Sequence, residues 1–192
     1  QRALVNVLLR SLPIHAAATA YRPGRGLIEN ARPHLRSGPI LKLDLKDFFP
    51  SLKDHDWRIY CSKNAILDPD DIDLSANILF QRHTGSRSLQ LAIGAPSSPD
   101  VSNVLMYEFD RLICEAVRTD HVRYTRYADD MTFSAPRTGH LNHVVKEVYG
   151  VIKSLDSPRL WVNKDKTTFV TKKYSRNITG ITITNDGRGL SG

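Results

Sequence analysis

Val122-Arg123-Tyr124-Thr125-Arg126-Tyr127-Ala128-Asp129-Asp130-Met131-Thr132-Phe133-Ser134 reads as two strands meeting at a bend that carries two adjacent carboxylates. Aspartate is a poor strand former and strands with a buried face avoid charge, so a di-aspartate at the tip of an apolar hairpin calls for a partner. One reading is an ordinary hairpin turn, where Asp is favoured. The other is a pair of ligands for a divalent cation. A second stretch bears on the choice. In Leu41-Lys42-Leu43-Asp44-Leu45-Lys46-Asp47-Phe48-Phe49 the leucines alternate with Lys42 and Asp44, which is the period of a half-buried strand. Asp44 therefore projects from the face away from the leucines. It is either a surface acid paired with Lys42 or Lys46, or, if this strand lies beside the 122–134 hairpin, a third carboxylate meeting Asp129 and Asp130. Three such acids repel one another unless cations neutralise them. Oxygen donors with no His or Cys nearby select Mg²⁺ or Mn²⁺ over Zn²⁺. Two such ions form the usual clamp for in-line displacement at phosphorus.

The rest of the composition is compatible with that chemistry. The chain has 192 residues, enough for a proper core, and 41% hydrophobic residues, an ordinary globular proportion. No apolar run approaches the roughly 18 residues that a membrane span needs. Lys and Arg exceed Asp and Glu by 27 to 20, a net charge of +7 that favours a polyanionic partner. The basic residues recur in dispersed groups, Arg22/Arg25, Arg32/Arg36, Arg82/Arg87, Arg123/Arg126, Lys164/Lys166 and Lys172/Lys173/Arg176. Such groups suit a charged channel or a solvated basic surface better than a disordered arm. Cys61 and Cys114 lie in no metal or redox spacing and are expected to be buried thiols of a reducing, cytoplasmic setting. The first residues, Gln1-Arg2-Ala3-Leu4-Val5, lack an initiator Met and resemble a helix already under way, so an excised piece of a longer protein without a signal peptide is expected.

Periodicity predicts an amphipathic helix over 1–12, a basic turn at Tyr21–Gly26, a short helix around Leu27–Leu35 and a strand at Ile40–Leu45. Helices follow over 54–66 and 70–81. A loop at Gly94–Pro99 leads into a helix from about Asp100 to Val117, and another helix surrounds His140–Leu155. A strand at Lys166–Val170 and a hairpin at Asn177–Thr184 complete the pattern. The interleaving predicts one α+β domain, an antiparallel or mixed sheet covered by helices on one face.

Leu43-Asp44-Leu45-Lys46-Asp47-Phe48-Phe49-Pro50-Ser51, Gly94-Ala95-Pro96-Ser97-Ser98-Pro99 and Arg126-Tyr127-Ala128-Asp129-Asp130 resemble, in this order, the polymerase motifs of bacterial reverse transcriptases. Asn163-Lys164-Asp165-Lys166-Thr167 and Ile178-Thr179-Gly180 continue the series. The match runs from about Ala20 to Gly192, and within the family it is most similar to retron enzymes. Those carry an Asn-Ala-x-x-His element, here Asn30-Ala31-Arg32-Pro33-His34, and a Val-Thr-Gly element, here Ile178-Thr179-Gly180. Group II intron and other phage-defence reverse transcriptases share much of the same core, and a non-catalytic nucleic-acid-binding module is an alternative of a different class.

The resemblance implies the fingers and palm of a right-hand polymerase, with fingers at approximately 1–39 and 55–92 and palm at approximately 40–54 and 93–192. It also implies that a thumb is absent, since its helices would begin where the chain stops at Asp186–Gly192. The implied activity is RNA-directed DNA synthesis in the bacterial cytoplasm, by two-metal transfer of dNTPs to a primer 3′ hydroxyl or an RNA 2′ hydroxyl. The implied product is the multicopy single-stranded DNA of a retron in phage defence. RNA template, DNA or RNA primer, a cognate structured RNA and an effector protein are the implied partners, with no membrane. Asp44, Asp129 and Asp130 would be catalytic and hold two Mg²⁺, with Mn²⁺ as a substitute and Asp130 the less direct ligand. Lys166 would protonate the pyrophosphate, or is a solvated lysine. Arg22, Arg25, Leu45, Asp47, Phe49 and Gly94 would form the nucleotide site, with Phe49 a steric gate against the ribose 2′ hydroxyl or a plain core residue. Pro96, Ser97, Tyr127 and Gly180 would face template and primer, and His34 is either an RNA contact or a packed loop histidine. The chain departs from the family at Leu91-Ala92-Ile93-Gly94, where a Pro-Gln pair usually precedes the Gly. Ile93 cannot make the polar nucleotide contact of that Gln, which bears on nucleotide affinity and fidelity.

Overall fold

Alternation of leucine with polar residues makes Ile40–Leu45 (β1) the inner strand of the main sheet in a computed structural model, which describes residues 1–191 except 37, 84, 86–87, 119–120, 172 and 185–188. Arg87, Lys172 and most of the terminal Asp186–Gly192 segment lie outside the described residues. Arg123–Tyr127 (β4), Asp130–Ser134 (β5) and Val162–Val170 (β6) join β1 in a four-stranded sheet of order β4-β5-β1-β6. Every pairing in it is antiparallel.

Period-two alternation then sorts the side chains. Leu41, Leu43, Leu45, Met131, Phe133 and Tyr124 face the main core. Three helices cover that face: Ser98–Leu105 (α6), Tyr107–Ala116 (α7) and Val144–Ser154 (α8), through residues such as Val101, Phe109, Ile113 and Val148. The opposite face carries Ile40, Lys42 and Asp44 on β1 beside Ser134, Thr132 and Asp130 on β5. Its Ile40 end is closed by a smaller cluster with Ala31, Ile178 and Ile183. These come from the helix Leu27–Ala31 (α2) and the hairpin of Arg176–Ile178 (β7) and Ile181–Ile183 (β8), to which Leu190–Ser191 (β9) adds a short strand. At the other end Asp44 is buried, 6% exposed, while Asp130 is half-buried.

Several elements differ from the periodicity. The first helix runs only over Arg2–Val7 (α1), and a 3₁₀ turn at Leu9–Ser11 follows. The single helix expected over 100–117 is two, because Met106 at φ −83, ψ 0 interrupts the ladder. Both halves bury apolar side chains, so the hydrophobic pattern runs through the break without registering it. A one-turn helix at Phe48–Ser51 (α3) and a small ribbon of Gln81–Arg82 (β2) with Leu89–Gln90 (β3) were not anticipated. Asp54–Asn64 (α4) and Pro69–Leu79 (α5) fall where expected. The strand expected at 166–170 begins at Val162, and its register against β1 shifts between Lys42 and Asp44. Among the described residues no helix is long and apolar enough to cross a membrane. Cys61 is buried, Cys114 is half-buried, and both are free thiols; burial pushes Cys61 up to about 12.

Candidate active site

Hydrophobic register brings the acids together. Burying Leu41, Leu43, Met131 and Phe133 on one face pairs Leu43 with Met131 and so pairs Asp44 with Asp130 across the β1–β5 ladder. Asp129 sits in the two-residue turn between the paired Tyr127 and Asp130. Its carbonyl accepts from Leu45 N–H at 3.1 Å, which ties the turn to the end of β1. Ala128, also in the turn, is held at φ 55, a left-handed conformation uncommon for a residue with a Cβ.

Burial pushes the Asp129 and Asp130 carboxyls above the usual carboxylate range, and the Asp44 charge pushes both the same way. For Asp130 the neighbouring Asp129 adds to the effect. Asp44 is not bound to Lys42 or Lys46. Its Oδ2 accepts from Lys166 Nζ at 3.0 Å, and that bond raises the ammonium pKa. The β6 register shift explains the contact, since the residues between Asn163 and Thr168 bulge past β1 and carry Lys166 over Asp44. Convergence of the three acids is thus seen in backbone register and in their mutual electrostatics. It does not extend to their side chains: among the described residues no three His, Cys, Asp or Glu are gathered into a set able to hold a metal as they stand. The donors nevertheless suit a hard divalent cation, because they are all carboxylate oxygens and two of them are partly desolvated beside like charge.

The other expected site residues divide. Phe49, half-buried at the rim of the core, has its ring 5.3 Å from Phe48 and 6.3 Å from Tyr21; Phe48 is the fully packed member. Tyr21 also lies 6.4 Å from Tyr127, so Tyr21, Phe49 and Tyr127 form an aromatic group next to the acidic turn. Tyr21 was not anticipated, as its turn-rich loop gives no periodic signal. Asp47 is exposed at φ 48, Gly94 is exposed at φ +85, and Pro96 is exposed. Gly180 lies on the β7–β8 turn and, with Lys42, Asp130, Thr132, Asn177 and Thr179, lines a cavity of about 200 Å³. Ile93 is 79% exposed, an apolar side chain facing solvent beside Gly94.

Other placements require correction. Ser97 is fully buried, so its hydroxyl does not face a template from this position. Leu45 is in the core and offers a ligand only its backbone. Arg22 and Arg25 each use Nη1 on carbonyls of the 15–18 segment, at 3.1–3.2 Å to Ala18 and His15 and 2.8 Å to Ala16, leaving their remaining donors for an anion. Arg123 and Arg126 do not form one basic pair, because an odd spacing on a strand puts them on opposite faces. Arg126 is wholly buried, its fork on Asp110 of α7 at 2.8 and 2.7 Å. Arg176 is buried as well. Asp110 could have been found in the sequence, since it follows Phe109 and precedes Ile113 on the apolar stripe of its helix. His34 is buried between Thr125 and Ser134, a packed histidine.

A half-buried di-aspartate turn thus lies in register with a third acid on an antiparallel sheet backed by helices. The chain belongs to the reverse transcriptase family, the RNA-dependent DNA polymerases, whose family model matches residues 1–183. Its curated relatives include retron reverse transcriptases. The retron Ec83 reverse transcriptase of Escherichia coli is 32% identical over 98% of this chain, and the retron Mx65 reverse transcriptase of Myxococcus xanthus is 30% identical over all of it. The chain spans 61% and 46% of the length of those two relatives. Apo telomerase of Candida tropicalis, truncated from its C-terminal domain, shares the fold with a TM-score of 0.56 at 14% identity, across 99% of this chain and 43% of that one.

Proposed function

We propose that this chain is the fingers and palm of an RNA-directed DNA polymerase that makes retron single-stranded DNA. In this reading residues 1–39 and 55–92 are fingers, and 40–54 and 93–192 are palm. The observation that carries it is the register of Asp44 against Asp130 with Asp129 at the adjoining turn. Asp44 and Asp129, with Asp130 less directly, would hold two Mg²⁺ or Mn²⁺ ions, whose chemistry when bound is to activate the attacking hydroxyl and stabilise charge on the transferring phosphate. Lys166, now on Asp44, would give its proton to the departing pyrophosphate. The free donors of Arg22 and Arg25 suit the triphosphate. The Phe49 ring, flanked by Tyr21 and Tyr127, would crowd a ribose 2′ hydroxyl and leave it unpaired, favouring dNTPs. Exposed Gly94 and Pro96 would border the template, and the Gly180 turn would meet the primer end across the cavity shared with Asp130.

The retron product, its structured RNA, its effector partner and its role in phage defence are inferred from the type of the relatives. Primer extension on an RNA template with Mg²⁺ tests the chemistry, comparing the full-length protein with an Asp129→Ala/Asp130→Ala variant. Extension by the first alone is expected. Equal extension by both overturns the metal assignment, and extension by neither favours a binding module. Copurifying nucleic acid should sequence as a branched RNA–DNA hybrid; intron RNA would refute the retron assignment.

A further inference from the structure

The two short elements, Asn30-Ala31-Arg32-Pro33-His34 and Ile178-Thr179-Gly180, lie far apart in sequence and touch in the fold. Ile178 pairs with Ile181, so Thr179 and Gly180 form a two-residue hairpin loop. Both have positive φ, 48° and 90°, the type I′ form that suits Asn-Gly and strains a β-branched residue. The Gly180 N–H donates to Asn177 Oδ1 at 3.0 Å, which closes the loop from within. A second bond comes from outside. Asn30 Nδ2 donates to Thr179 Oγ1 at 3.1 Å, while Asn30 Oδ1 accepts from Thr19 Oγ1 at 3.0 Å. Asn30 is fully buried in α2, and the Thr19 N–H in turn donates to the Arg126 carbonyl of β4 at 2.8 Å. A chain of bonds therefore runs from the strand that carries the acidic turn, through Thr19 and Asn30, to the strained Thr179. The Thr179-Gly180 loop forms one wall of the cavity whose other walls include Asp130 and Lys42.

We propose that Asn30 is a positioning residue: by holding Thr179 it fixes the Thr179-Gly180 loop at a set separation from Asp130, and so aligns the nucleic-acid strand end lodged between them. The proposal rests on the polymerase reading. A hydrogen-bonding hydroxyl, and not merely a β-branched shape, is what position 179 supplies. The cost of the left-handed threonine is offset by a bond that Gly or Asn at the same place would not make in the same way.

The test uses the full-length protein with Thr179→Val, Thr179→Ser, Thr179→Gly and Asn30→Ala. Losing one such bond weakens the alignment by about three- to tenfold. Thr179→Val is expected to raise the KM for a recessed RNA–DNA primer–template by that factor, with kcat and the KM for dNTP unchanged. Thr179→Ser, which keeps the hydroxyl, should restore the wild-type KM. Thr179→Gly should resemble Thr179→Val although it removes the strain. Asn30→Ala should add nothing further in the Thr179→Val background. Wild-type KM in Thr179→Val, or fully additive effects of Asn30→Ala and Thr179→Val, overturns the proposal. If the wild-type protein extends no primer, the polymerase reading fails separately, and amide hydrogen exchange at Gly180 decides the latch. Faster exchange in Thr179→Val and not in Thr179→Ser supports it; equal exchange in all three overturns it.

Discussion

His34 makes stability depend on pH with a sign and a size that follow from its surroundings. Its ring is fully buried, with Nδ1 2.6 Å from Ser134 Oγ and Nε2 2.9 Å from Thr125 Oγ1. Burial, reinforced by the nearby Arg123 charge, depresses its pKa from 6.5 to about 3. Above pH 6.5 the imidazole is neutral in both folded and unfolded chains and contributes no pH dependence. Between 6.5 and about 3 the unfolded chain takes up a proton that the folded chain refuses, so stability falls as the pH falls. The slope is about 1.4 kcal/mol per pH unit, so acidification from 6.5 to 5 removes roughly 2 kcal/mol. His34→Gln cannot titrate. At pH 7.5 the variant should be the less stable protein by about 1–3 kcal/mol, having lost bonds to buried hydroxyls. At pH 5 the gap should close by about 2 kcal/mol. Urea denaturation followed by tryptophan fluorescence measures both gaps, because Trp57 is wholly buried and reports unfolding. Other titrating groups are common to both proteins and cancel in the difference. A gap that is the same at pH 7.5 and pH 5 would refute a neutral, solvent-excluded His34.

Three further outcomes are expected. Asp110→Ala strands the Arg126 guanidinium in the core and should cost about 3–5 kcal/mol in chemical denaturation, far more than an exposed ion pair. Phe49→Val, tested by single-nucleotide incorporation, should lower discrimination against ribonucleotides by up to about a hundredfold while extension with dNTPs continues. Ile93→Gln should leave stability within about 0.5 kcal/mol, since the side chain is 79% exposed, and should lower the KM for dNTP if a polar group there reaches the nucleotide.

What the sequence made legible was whatever periodicity encodes. β1 was found to the residue, and the hairpin at 122–134 and the α4–α5 pair to within a few residues, because each has one apolar face. β6 was half missed because it is the exposed edge of the sheet, and Asn163–Thr167 has no apolar face to alternate with. The acids were visible as charges out of place on strands. Charge count carries no depth and groups Arg126 with the residues available to a polyanion; only its parity with Tyr124 on the core face gives its burial away. Tyr21 and the Asn30–Thr179 bond depend on tertiary approach of segments remote in sequence and have no local signal.

The site is held in place by the core rather than by its own acids. Asp44, Asp129 and Asp130 repel one another, so their mutual electrostatics would favour a slipped ladder that separates them. A slip of β5 by one residue that sets Asp44 opposite Met131 does separate them, but it also turns Met131 and Phe133 outward and drives Asp130 and Thr132 into the helices packed on the other face. Exposing those two apolar side chains forfeits about 1.5–3 kcal/mol each, and burying an unpaired carboxylate costs several kcal/mol more. The hydrophobic register therefore wins over the repulsion by a wide margin. The fold can keep a destabilised group of carboxylates assembled, with Lys166 as the cation at hand on Asp44. Lys166 is 62% exposed at its side chain, whereas the ladder that sets the acids is fixed by the buried apolar face. In the proposed polymerase, packing would preassemble the acids, so that cations and phosphate could enter and leave beneath the exposed Lys166 without rebuilding the frame.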